Sequence, residues 1–158
     1  MKTRHFLTPA CLMLVCSPAW AIDLSGYVGA YPFDRIDGYS FFDNPAVKSA
    51  TDGAAGAGIS DWLADLQVGL PIEQEADGLV AIVCEKHNCA GNNAAVAISV
   101  SGSFIAACLY SEDGEDGAAP GKVRWVNTEF NKQMDNLDDR GCPQDASQFL
   151  DAYSRVLK

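Results

Sequence analysis

The chain has 158 residues, 48% of them hydrophobic, with 11 Lys+Arg against 21 Asp+Glu and a net charge of −10. This is the size of one ordinary domain, large enough to bury a real core. A charge of this sign disfavours nucleic acid and anionic membrane as partners; it serves either solubility alone or attraction to a basic partner.

The first 21 residues read as an export signal. Lys2, Arg4 and His5 form a positive start, Phe6 to Val15 is a short apolar stretch, and Ala19-Trp20-Ala21 is a small-x-small cleavage site. The apolar stretch is too short to span a bilayer of roughly 30 Å. Cys11 comes too early to carry a lipid, and Cys16 follows the bulky Val15. The expected mature chain is a single domain, residues 22–158, exported to the periplasm. Losing Lys2 and Arg4 leaves 9 basic residues against all 21 acidic ones, a net charge of −12.

Residues 22–42 are rich in Gly and aromatics, an irregular segment whose rings are expected to pack on the domain. Asp43-Asn44-Pro45 starts a short helix, about Pro45 to Ser49. Thr51 to Gly58 is a small-residue loop, and Ser60-Asp61 caps a second helix carrying Trp62, Leu63 and Leu66. Leu70 to Glu75 is an edge strand with Pro71 early in it. Apolar strands follow over Leu79 to Val83, Ala94 to Val100 and Phe104 to Tyr110, and Lys122 to Val126 makes another. Asn127 or Thr128 caps a helix with Phe130, Met134 and Leu137 on one face. Pro143 to Leu157 is the last helix. Consecutive strands with short turns give an α+β class: an antiparallel sheet of about five strands flanked by helices.

Four cysteines remain in the mature chain: Cys84, Cys89, Cys108 and Cys142. In an exported protein an even number implies two disulfides, and the short spacing favours Cys84–Cys89, leaving Cys108–Cys142. Cys84-Glu85-Lys86-His87-Asn88-Cys89 is then a closed polar loop holding the only histidine of the mature chain. So small a ring stabilises by about 2 kcal/mol at most. It is either a plain structural bridge that happens to contain a His, or a device that holds His87 ready for a partner at reduced ordering cost. One His with scattered acids is a poor zinc site. No nucleophile elbow or triad signature is present, and C-x-x-x-x-C is not the redox spacing. Neither an enzyme nor a metal or other cofactor is expected. Glu112 to Gly117 lacks the ligand order of an EF-hand and reads as a solvated loop, while Trp62 and Trp125 read as core.

The loop resembles the signature of the Ivy family, periplasmic inhibitors of vertebrate (C-type) lysozyme, which carry Cys-Lys-Pro-His-Asp-Cys followed by Gly. Here Gly91 stands close behind Cys89, Gly69-Leu70-Pro71 precedes the strand leading into Cys84, and Val123-Arg124-Trp125-Val126-Asn127 is similar to the family's Leu-Thr-Trp-Leu-Asn. The resemblance implies a protruding loop that enters the lysozyme cleft, with Cys84, Glu85, Lys86, His87, Asn88 and Cys89 at the contact. It also implies that His87 bonds to the two catalytic carboxylates. An imidazole can do so, donating to an ionised carboxylate and accepting from a protonated one. A homodimer is a further expectation from the family. Glu85, Lys86 and Asn88 depart from the family's Lys, Pro and Asp, and Cys108–Cys142 is an addition to its loop disulfide. The departures leave a lytic transglycosylase, which uses a single acid, as the alternative target.

Overall fold

The computed structural model describes residues 22–136 and 140–158. The expected signal segment, its cleavage after Ala21, and Leu137 lie outside them. Seven strands form one antiparallel sheet: β1 (Gln67–Gly69), β2 (Glu73–Glu75), β3 (Gly78–Glu85), β4 (Asn92–Ser99), β5 (Phe104–Ser111), β6 (Lys122–Val126) and β7 (Asn131–Asp135). They run in the order β1-β3-β4-β5-β6-β7, and β2 also pairs with β3. Among the described residues three α-helices accompany the sheet: α1 (Pro45–Ala55), α2 (Ile59–Asp65) and α3 (Ala146–Val156). The α+β class and the meander from β3 to β6 are as expected from the sequence.

Helices cover both faces of the sheet, which explains the unbroken apolar runs of β3 and β4. On one face Leu79, Ala81, Val83, Val96, Ile98 and Leu109 pack under α1, α2 and the aromatic segment, where Tyr27, Phe41 and Phe42 are buried. On the other, Val80, Ile82, Ala95, Cys108 and Trp125 pack under Phe149 of α3. With both faces occupied, alternation with polar residues has no use. Trp125 stacks on Phe149 at 5.6 Å between ring centres. Trp62 is only half-buried against the first core. Tyr31 and Tyr39 of the aromatic segment are exposed.

Several local expectations are corrected. The stretch after Asn127 is a strand, not a helix. Asn127 Oδ1 accepts from the backbone N–H of Glu129 and Phe130, and its own N–H reaches Phe130 O at 3.0 Å. That tight turn folds β7 back on β6, with Val126 opposite Asn131 and Trp125 opposite Lys132. Residues four apart share a face in a strand as well as in a helix, so the spacing of Phe130 and Met134 fits both.

Helix α1 runs on to Ala55 through what reads as a loop, because Val47, Thr51 and Ala55 form one buried face. Gly58 occupies the cap position of α2, and Ser60 instead donates to Asp52 Oδ1 at 2.8 Å. Of the expected edge strand from Leu70 to Glu75 only Glu73–Glu75 (β2) is a strand, and a further short strand, β1, lies just before it. Finally, the acidic loop is not wholly solvated: Asp116 is 0% exposed.

Candidate functional site

Strand β3 ends at Cys84-Glu85 and β4 begins at Asn92, with Cys84 opposite Asn93. Between them the chain makes one tight turn and returns. The disulfides are Cys84–Cys89, spanning 4.8 Å between α-carbons, and Cys108–Cys142 at 5.6 Å. Inside the ring, Asn88 N–H donates to Glu85 O at 3.0 Å, and Lys86 N–H donates to Leu66 O at 3.0 Å at the end of α2. The return limb is tied too, with Gly91 and Asn92 N–H both donating to Asn88 O at 3.0 Å. A Cβ at Gly91 would lie 2.5 Å from Asn88 Oδ1 and 2.7 Å from Glu112 Cδ, so any other residue there would displace the Asn88 and Glu112 side chains.

The polar residues of the ring divide into two sets. Glu85 and Asn88 turn inward. The Glu85 carboxylate accepts from Asn92 Nδ2 at 2.6 Å and from Asn88 Nδ2 at 2.9 Å, and Asn88 Nδ2 also reaches Glu112 Oε1 at 3.2 Å. The bond from Asn92, then that from Asn88, hold the Glu85 carboxyl below its ordinary range. Lys86 and His87 are exposed. His87 sits in the left-handed region at φ +70°, a conformation that costs a side-chain-bearing residue about 1–2 kcal/mol. The ring therefore holds its histidine outward in a strained turn, which the disulfide and the Glu85 hydrogen bonds keep closed.

Asn93 was not singled out by sequence reasoning. It is 0% exposed and anchors the site from below. Its Nδ2 donates to Cys89 O at 2.7 Å and to Arg140 O at 3.0 Å, and its Oδ1 accepts from Cys142 N–H at 2.7 Å. One buried amide thus joins the loop to the segment fixed by the second disulfide. Gly141 completes the fit, since a Cβ there would lie 2.6 Å from Asn93 Oδ1. The one signal in the sequence was a pair of Asn residues entering an otherwise apolar strand.

Beside the loop, Val68, Leu70, Ile82, the Cys84–Cys89 bridge and Gln144 line a cleft of about 340 Å³. Among the described residues no group of three or more His, Cys, Asp or Glu side chains is placed to hold a metal ion. No helix there is long and apolar enough to cross a membrane.

Residues 46–152 match the family model described as inhibitor of vertebrate lysozyme (Ivy). Comparisons with curated proteins and with solved structures found no match. The matched span takes in α1, the whole sheet, the disulfide-closed loop and most of α3. The chain belongs to the Ivy family of lysozyme inhibitors, and its class of function is the inhibition of lysozyme.

Proposed function

We propose that the protein acts in the periplasm, after export by its first 21 residues, as an inhibitor of C-type lysozyme. It inserts the Cys84–Cys89 loop into the enzyme's cleft, and His87 hydrogen-bonds to the catalytic carboxylates. The observation that carries this reading is the division of the loop: its acid, Glu85, is bonded inward, while Lys86 and His87 are exposed. The loop of a strongly acidic protein thus exposes a lysine and a histidine while its own acid is turned in. That polarity suits a basic enzyme whose cleft is acidic at the centre. The body attracts the enzyme's surface over a distance and speeds encounter, and the tip meets the carboxylates at contact. An imidazole and an ammonium placed there occupy the groups that a retaining glycosidase needs free. Closing the turn beforehand removes much of the ordering cost of binding.

The test is a lysis assay. Purified residues 22–158 are mixed with hen egg-white lysozyme, and the clearing of a bacterial suspension is followed. Inhibition at near-stoichiometric concentration is the expected result. Full lysis at tenfold excess of the protein overturns the reading. A parallel assay on a purified lytic transglycosylase separates the two targets.

A further inference from the structure

We propose that the apolar cleft beside the disulfide is a second part of the enzyme-binding surface, and that it receives an uncharged, apolar side chain from the rim of the lysozyme cleft. This rests on the preceding reading that the loop enters that cleft. Lys86 and His87 form only a small tip, whereas a stable complex of two proteins covers roughly 800 Å² on each partner. An enzyme seated on the tip must therefore also lie against what flanks it.

The flanks differ in chemistry. On the side of the β5–β6 loop stand the exposed acids Glu112, Asp113 and Glu115, with Glu112 bonded to Asn88 of the ring. On the side of β1, none of the residues that line the cleft is charged. Val68 is paired with Cys84 across the β1–β3 ladder, so its side chain leaves the sheet on the same face as the disulfide. Val68 is 38% exposed and Leu70 44%. With Ile82, Cys84, Cys89 and Gln144 they make a cleft large enough for one apolar side chain of a partner. The Cys84–Cys89 bridge both closes the loop and lines the cleft, so the two surfaces are continuous. A cationic side chain would lose its hydration there without a partner; an apolar one loses nothing.

The test uses Val68→Ser with Leu70→Ser, which removes apolar surface without changing charge, so that steering of the basic enzyme is preserved. Both positions are exposed, and the thermal midpoint and far-UV dichroism confirm folding. Binding to hen egg-white lysozyme is measured by surface plasmon resonance beside wild type and His87→Ala. The expected result is a dissociation constant raised at least tenfold, mainly through faster dissociation, with the association rate and its salt dependence kept. Glu112→Gln should show the complementary pattern, a slower association with little change in dissociation. If the double variant binds like wild type while His87→Ala loses binding, the cleft proposal is overturned and the loop reading stands. If the double variant instead turns a dimer into a monomer and leaves inhibition intact, the occupant is a second copy of the chain, and the proposal is likewise overturned. If wild type does not bind lysozyme, both fail together.

Discussion

Two loops at the same end of the sheet use acidic residues in opposite ways. The β3–β4 loop holds Glu85 near the surface, and hydrogen bonds from Asn92 and Asn88 favour its charged form. The β5–β6 loop sinks Asp116 into the protein, where burial pushes its carboxyl above the ordinary range despite the nearby Arg124 guanidinium. The first loop is braced from inside so that its tip projects. The second is pulled inward: Arg124 donates to Asp116 O at 2.6 Å, to Ala55 O at the end of α1, and to Asn131 Oδ1 at 3.0 Å. One loop is organised for presentation and the other for cohesion, although in sequence both are polar connections between apolar strands.

The contrast is tested first where the cost is greatest. Arg124→Ala strips one cation from three acceptors and leaves Asp116 buried without it. The expected loss is about 3 kcal/mol of stability by chemical denaturation. Whatever fraction remains folded should inhibit lysozyme normally, because the presenting loop is untouched. Asn93→Ala should cost about 2 kcal/mol, since it orphans the Cys142 N–H and two carbonyls. Here the loop itself should loosen, seen as faster amide hydrogen exchange at Asn88, Gly91 and Asn92 than in a control variant of equal stability.

How much of this was legible in the sequence follows the range of the interactions. The disulfide loop was readable because all of its parts lie within six consecutive residues. The strand Lys122–Val126 was readable from its own alternation. The strand β7 was not, because Phe130, Met134 and Leu137 at steps of four and three suggest a helical stripe, and the deciding feature is the Asn127 turn against a waiting β6 edge. The continuation of α1 depends on a buried face that only the packed core defines. Asn93 and the Val68–Leu70 cleft were invisible for a related reason. Both arise from register, Asn93 opposite Cys84 and Val68 opposite Cys84, which joins residues far apart in the chain.

Smaller effects sharpen the contrast. His87→Gly should stabilise the protein by up to about 1 kcal/mol, since glycine accepts φ +70° without strain. A gain in stability, measured by chemical denaturation, would show that the left-handed conformation at His87 is strained.

The two acids should also respond to pH with opposite signs. The pKa of Asp116 is raised in the folded state, so the fold binds the extra proton. Stability should therefore rise as pH falls through that raised pKa towards the ordinary value of 3.8, and Asp116→Asn should remove the rise. The pKa of Glu85 is lowered, so its contribution is present above the ordinary value of 4.5 and is lost as pH falls through the folded pKa. Amide exchange in the ring, followed from pH 5 downwards and corrected for intrinsic rates, should accelerate in wild type and start high in Glu85→Gln.

The central claim is that His87, held outward by the closed ring, makes the decisive contact. The direct measurement is the inhibition constant of His87→Ala against hen egg-white lysozyme, beside wild type and at matched folding. The predicted result is a loss of at least about 2 kcal/mol of binding free energy, roughly thirtyfold, with unfolding stability no lower than wild type. An unchanged inhibition constant in a folded variant would contradict the account.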